Sequence, residues 1–224
     1  MSVLPQAEPQ TIGEIASTLA GAGAVFRKHG IDFGCGGASS LDEAARKSGV
    51  DPAVVRGELD ALDRKPPDLP SDSAALCDYI VERYHDVHRR ELPELIGLAR
   101  RVEAAHRNHP LVPKGLADAL EASLESLLDH MTKEERILFP SIRDGFAGSL
   151  FGPIAVMRHE HHHQDGEARA IEALTHRFKP PEDACDSWRA LYSGLDKFAA
   201  DLAEHIHLEN NVLFPRFERA RRRG

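Results

Sequence analysis

Two stretches of this chain could do chemistry together. One reads HMTKEERILFP, from His130 to Pro140, and the other reads HIHLENNVLFP, from His205 to Pro215. In each, a histidine is followed one helical turn later by a glutamate, and an aliphatic-Leu-Phe-Pro ending closes the stretch. On a helix, His130 with Glu134, and His205 with Glu209, would each present an imidazole and a carboxylate to one point. Shared carboxylates with flanking imidazoles are how helical bundles hold paired metal ions.

A single His-x-x-x-Glu is as easily a surface pair or a hydrogen-bonded core histidine. Periodicity separates these readings. Leu191, Leu195, Phe198, Leu202, His205, Glu209 and Val212 advance in steps of four and three, which is the stripe a helix turns to its core. Leu120, Leu124, Leu127, Met131, Glu134 and Leu138 make a second such line, with His130 beside it. A lone buried carboxylate is strongly destabilising unless paired or coordinated. Two of them, each beside a histidine, call for a cation.

The same spacing repeats elsewhere. The offset that carries His130 to His205 carries His85 to His161 within one residue, so the region reads as two helical hairpins related by a pseudo-twofold axis. One stripe, Val81, His85, His88, Leu92, Leu95, Ala99 and Val102, holds both His85 and His88. Spacing alone does not choose between them; the offset favours His85 and leaves His88 as an outer hydrogen-bonding partner or an ordinary part-buried histidine. Among His159, His161, His162 and His163, the stripe Ile154, Met157, His161, Gln164, Ala168 and Ile171 selects His161. The rival pair His163 and Glu167 lies on a more polar line with Val156, Glu160 and Ala170, which reads as a solvated face. His106 and His109, near a helix end, read as surface groups.

The candidate ligands are thus His85, His130, Glu134, His161, His205 and Glu209. A nitrogen and oxygen set without thiolate suits iron or manganese better than a structural zinc site. Each ion is expected to take the two histidines of one hairpin, His85 with His130 and His161 with His205, an assignment that spacing does not fix.

The elements that must position these groups are four long helices, roughly 72–105, 114–144, 150–178 and 185–217, with Gly and Pro breaks between them and no stretch that reads as a strand. Pro93 should kink the first unless the helix restarts there. Residues 1–10 read as a loose start. Short helices follow: Thr11–Glu14 and Ser40–Glu43 have the form of capping boxes, and Asp51-Pro52 opens a further helix. The fold class is therefore all-α, with a small helical domain over 1–65, a proline-rich linker over 66–71 and a four-helix bundle over 72–224.

The net charge of −8 excludes the basic surface that nucleic acid requires. Cys35, Cys77 and Cys185 show no CxxC spacing, which fits a reducing compartment rather than a disulfide framework. No secretory pattern opens the chain and no apolar run is long enough to cross a bilayer, so the expected location is cytoplasmic, without membrane partners. Arg219–Arg223 reads as a solvated basic end.

With RYHDVHR around His85, LPELI after it, HMTKEERILFP, GPIAVM, HIHLENNVLFP and the N-terminal IDFGCGG, the chain resembles the di-iron Repair of Iron Centres family, a hemerythrin-like group. The resemblance implies a hemerythrin-like up-down bundle preceded by an ScdA-type (DUF542) domain. It implies two iron ions, bridged by oxo or hydroxo and by Glu134 and Glu209, on the six ligands already reached. It also implies repair of iron–sulfur clusters damaged by nitric oxide or oxidants, as a stress response, by supplying iron to client proteins. NO binding or reduction of NO to nitrous oxide is the alternative activity, and an O₂ or NO sensor or carrier is a third; a homodimer stays open. Two departures stand out. Where the family often has adjacent cysteines, Gly34 precedes Cys35, leaving a single thiol that could bind metal or nitrosyl or be an ordinary turn residue. Glu160, among extra histidines, reads as lining a route for protons or iron, or as a solvated glutamate.

Overall fold

The protein, seen here in a computed structural model, is described over residues 10–144 and 150–218. The basic end Arg219–Arg223 and nearly all of the loose start lie outside the described residues.

Four short helices come first: α1 (Ile12–Thr18), α2 (Ala22–Lys28), α3 (Leu41–Lys47) and α4 (Pro52–Asp60). The Thr11 capping box forms in both directions, with Glu14 N–H donating to Thr11 Oγ1 and Thr11 N–H donating to the Glu14 carboxylate. Ser40 and Asp51 cap α3 and α4. Ile12, Phe26, Phe33, Leu41 and Val55 fill the core of this unit. Among the described residues no strand forms; an isolated bridge joins Thr11 to Ser40.

The bundle follows. Its first helix is built from α5 (Ser73–Ile80), a π turn (Val81–His85) and α6 (Asp86–Ala105). Its second joins α7 (Leu116–Lys133), a π turn (Glu134–Leu138) and α8 (Phe139–Arg143). The third is α9 (Phe151–Leu174). The fourth joins α10 (Asp186–His207), a π turn (Leu208–Leu213) and α11 (Pro215–Glu218). α6 runs unbroken through Pro93, so the helix does not restart there.

The third helix ends four residues before the sequence reading placed its end. His176, Arg177 and Phe178 all take left-handed backbone, with φ of 50°, 60° and 57°. This conformation is costly for residues with a Cβ, and it turns the chain so that Phe178 packs back on the bundle core ahead of Pro180-Pro181.

The π turns are not legible in a period-3.6 reading. In each, a backbone N–H reaches five residues back: Asp86 to Val81, Phe139 to Glu134 and Phe214 to Glu209. In the second and fourth helices a proline comes directly after, at Pro140 and Pro215. A proline ring crowds the carbonyl four residues earlier and supplies no N–H, which favours a widened turn just before it. The repeated Leu-Phe-Pro ending thus loosens both helices beside Glu134 and Glu209.

The apolar core of the bundle falls into two layers. One joins Leu92, Leu95, Leu120, Leu127, Leu191, Leu195 and Leu202. The other joins Leu76, Ile80, Leu138, Phe139, Ile154, Leu213 and Phe214. The six candidate ligands lie between the two layers along each helix.

Candidate metal centre

The structure brings all six side chains together. His85, His130, Glu134, His161, His205 and Glu209 are 0–1% exposed. They form two groups that share both carboxylates, His85 with His205 and His130 with His161, each group's donor atoms lying within 4.8 Å of one another. Glu134 turns Oε2 to His85 Nε2 and Oε1 to His130 Nε2, both at 3.4 Å. Glu209 turns Oε2 to His161 Nε2 at 2.9 Å and Oε1 to His205 Nε2 at 3.3 Å. Each carboxylate therefore spans the two groups, one oxygen to each.

The pairing corrects the expectation of one hairpin per ion. His85 Nε2 lies 3.1 Å from His205 Nε2, and His130 Nε2 lies 3.1 Å from His161 Nε2. Each group thus joins helices of different hairpins, the first with the fourth and the second with the third. Sequence spacing orders residues along a helix; it carries no information on which neighbour a given face meets.

A cation fits these residues. His85 Nδ1–H donates to Glu135 and His130 Nδ1–H donates to Glu160, both at 2.8 Å, and His161 Nδ1–H donates to Asn210 Oδ1 at 2.9 Å. Those bonds fix the tautomer of each ring in its neutral form and turn the Nε2 lone pair of that form inward. In the His130–His161 group the two Nε2 atoms face each other 3.1 Å apart, and in the neutral tautomers neither has a hydrogen to offer the other. The carboxylate oxygens of Glu134 and Glu209 receive no well-directed hydrogen bond although both are fully buried. A cation held among these groups would resolve both conflicts.

The electrostatics agree. Burial, then the Glu209 carboxylate, push Glu134 well above the usual carboxylate range, whereas His205 and His161 outweigh burial to hold Glu209 well below it. Burial works against a charge on His85, but the Glu134 and Glu135 carboxylates facing its two ring nitrogens lift it to about 9. Burial lowers His205 to about 4 and also lowers His161. Hydrogen bonding to His85 and to His130 lowers Glu135 and Glu160 to about 2.

The surroundings repeat with differences. The Phe of each Leu-Phe-Pro ending stacks on the histidine from the other helix of its own hairpin: Phe139 on His85 at 5.8 Å and Phe214 on His161 at 6.0 Å between ring centres. Arg89 holds Glu135 at 2.7 Å, and Lys133 holds Glu160 at 2.6 Å. Glu160 therefore backs a candidate ligand and is not a freely solvated glutamate. Where Glu160 precedes His161, Tyr84 precedes His85; it stacks on His205 at 5.6 Å, and His205 Nδ1 finds no acceptor. His88 is buried with its Nε2 unpartnered, and Gln164, in the same place after His161, is buried with both amide atoms unpartnered. Sequence reasoning named His88 but passed over Gln164, whose position as a polar residue on an apolar stripe was the available signal. It also passed over Glu135 and Asn210, which directly follow Glu134 and Glu209.

The polar line on α9 is less solvated than expected. His163 is exposed, but its partner Glu167 at 3.3 Å is tucked against the bundle with 19% of its side chain exposed. His106 and His109 are half-buried against Trp188 rather than free on the surface, with His106 Nε2 3.1 Å from Cys185 Sγ and His109 Nε2 3.3 Å from Asp183.

The small unit docks on the bundle of its own chain. Asn211 Nδ2 donates to the carbonyls of Phe33 and Gly34 at 3.0 Å, and the Phe33 ring packs on His207 at 5.3 Å. Arg27 pairs with Asp196 at 2.6 Å, and Asp32 lies 3.5 Å from Arg169. Cys35 is half-buried in a cleft of about 620 Å³ between the two units, lined also by Arg169, Phe178 and Ala203. Burial, then the Asp32 carboxylate, raise its thiol well above the usual range, so it stays protonated. A Cβ at Gly34 would lie 3.1 Å from Ile206 Cγ2, so the missing adjacent cysteine is replaced by close contact with α10.

A four-helix bundle with a buried cluster of four imidazoles and two spanning carboxylates defines a helical protein with a site that could hold metal. Residues 78–217 match the hemerythrin HHE cation-binding domain, and residues 8–63 match the ScdA_N domain of unknown function, DUF542. The chain is 46% identical over 211 residues to the iron-sulfur cluster repair protein YtfE of Musicola paradisiaca, covering 92% of this chain and 95% of that protein. Proteins of the same name from Pectobacterium carotovorum and Yersinia pseudotuberculosis are 45% and 44% identical, with 92% of this chain and 96% of each relative covered. The chain belongs to the hemerythrin HHE cation-binding family, in the branch that carries an N-terminal DUF542 domain.

Proposed function

We propose that this protein repairs iron–sulfur clusters damaged by nitric oxide or oxidative stress, by donating iron to them. The observation that carries the reading is the six-residue centre. His85, His130, Glu134, His161, His205 and Glu209 would hold two iron ions, each facing two imidazoles and one oxygen from each of Glu134 and Glu209. Such a set holds ferrous iron without thiolates and leaves coordination positions through which it can exchange. Glu135, Glu160 and Asn210 orient three of the imidazoles, while the two apolar layers keep bulk water from the carboxylates. The relatives named as iron–sulfur cluster repair proteins support the same role. Damaged iron–sulfur proteins are the clients. No described helix is long and apolar enough to cross a membrane, and we assign the protein to the cytoplasm. The test is transfer from the iron-loaded protein to an apo iron–sulfur protein. Cluster formation faster than with the same free ferrous iron is expected; an equal rate overturns the reading.

A second activity, NO binding with reduction to nitrous oxide, is favoured by one observation. His88 and Gln164 sit one turn beyond His85 and His161 with unused hydrogen-bonding capacity in a buried site, as a small polar ligand would require. Gas analysis after adding NO to the ferrous protein tests it: nitrous oxide supports reduction, and NO retained without nitrous oxide leaves binding alone.

A further inference from the structure

The two halves of the metal centre are not equally connected to the rest of the chain. On one side, Glu135 backs His85 and is held by Arg89, both within the bundle. On the other, Asn210 backs His161 and also reaches the small unit. Asn210 is 4% exposed, accepts from His161 Nδ1 through Oδ1 at 2.9 Å, and points Nδ2 at the Gly34 carbonyl at 3.4 Å. Arg158 anchors its backbone carbonyl at 3.0 Å. The neighbouring Asn211 clamps the same loop, donating to Phe33 and Gly34 carbonyls at 3.0 Å. A Cβ at Gly37 would collide with the Asn211 side-chain amide, so this loop can seat only because it is nearly bare backbone there.

We infer that Asn210 is a positioning residue that couples docking of the small helical unit to the His130–His161 half of the centre, so that the ion held there is the one whose release answers to that unit. An amide has one acceptor and one donor end. With the Gly34 carbonyl in place, the donor end is directed to it and the acceptor end is held against His161. When the loop lifts, the amide's donor end keeps no other hydrogen-bond acceptor among the described residues, so the amide can turn and the imidazole loses the steady acceptor that sets its tautomer and aim. Outer partners of this kind change metal affinity by about 10–100-fold. The coupling is reciprocal: whatever docking adds to affinity at this half, an ion at this half adds to docking. The inference rests on the iron-donor reading and gives it a control point.

The test uses the full-length protein loaded with ferrous iron and challenged with a strong chelator in a stopped-flow instrument. Gly37→Ala should release one equivalent about tenfold faster and leave the other unchanged. Mössbauer spectra should show one of two iron signals altered. Asn210→Asp keeps the acceptor to His161 but removes the donor to Gly34, so Gly37→Ala added to it should give no further acceleration. Amide exchange over residues 32–37 should slow on iron loading in the parent protein and not in Asn210→Asp. Where Gly37→Ala disturbs folding, Arg27→Ala loosens the same interface without added bulk and should accelerate the same equivalent to a smaller degree. Unchanged release in both docking variants, equal acceleration of both equivalents, or acceleration that persists in the Asn210→Asp background each overturns the inference. Transfer to an apo iron–sulfur protein is followed in the same samples. Selective release without transfer removes the repair reading and leaves the coupling standing.

Discussion

The His85–His205 and His130–His161 halves of the centre share two carboxylates and have the same inner atoms, yet their surroundings differ. In the first, His85 leans on an ionised carboxylate, Glu135, and His205 has no Nδ1 partner beneath the Tyr84 ring. In the second, both imidazoles are backed, His130 by Glu160 and His161 by the neutral amide of Asn210. Duplication explains the shared atoms, since a repeated hairpin repeats its His and Glu. The outer residues Glu135, Glu160 and Asn210 are where the two halves depart from each other.

The comparison is broken most severely at the shared groups. Glu134→Ala and Glu209→Ala each remove an oxygen from both halves, so either should abolish binding of both ions; metal analysis that finds one ion retained would mean that the carboxylate serves one half alone. A smaller and one-sided effect is expected at the outer carboxylates. Glu135→Gln should weaken one equivalent and Glu160→Gln the other, each by about 10–100-fold. Competition with a chelator of known affinity measures this, and identical effects on both equivalents would erase the distinction between halves.

Protonation sharpens the comparison further. In the metal-free protein His85 is raised to about 9, so an ion arriving at pH 7 must displace its proton. Apparent affinity at that half should climb with pH until about 9 and then level, with proton release seen by calorimetry in buffers of different ionisation enthalpy. For the metal-free fold the sign is the opposite. A raised imidazole contributes stability that is complete below its unfolded value near 6.5 and is lost as pH rises through about 9. Glu135 and Glu160, lowered to about 2, contribute above roughly pH 4.5 and lose that contribution as pH falls toward 2. Urea titrations of the metal-free protein across these ranges should show both limbs. The smallest effect is expected at the edge of the domain contact. Arg27→Ala removes a pair whose Asp196 partner is mostly exposed, and should cost less than about 1 kcal/mol in thermal denaturation.

Much of this was legible in the residues. Polar groups on otherwise apolar stripes marked His85, Glu134, His161, His205 and Glu209, the spacing to Glu134 marked His130, and the near-constant offset between hairpins chose among crowded histidines. The Thr11–Glu14 capping box, the Ser40 cap without its reciprocal Glu43 bond, and the long helices followed from local rules. Three features did not. The π turns, two of them just before a proline, break the fixed helical period on which the sequence reading rests. The left-handed turn at His176–Phe178 runs against the preference of every residue in it and is held by the return of Phe178 to the core. The roles of Glu135, Glu160 and Asn210 need the partner helix in view, because each side chain reaches a histidine 30 to 50 residues away in sequence.

The sequence by itself determined that this chain is helical, that its hairpins repeat one spacing, and which six polar side chains interrupt or flank its apolar faces, because periodicity is a property of one helix at a time. Only the tertiary structure decided which imidazoles face one another, which of them is backed by a residue that also touches the small unit, and that this unit sits on its own bundle. Those are matters of lateral packing between segments distant in the chain, and no spacing along a single helix records them.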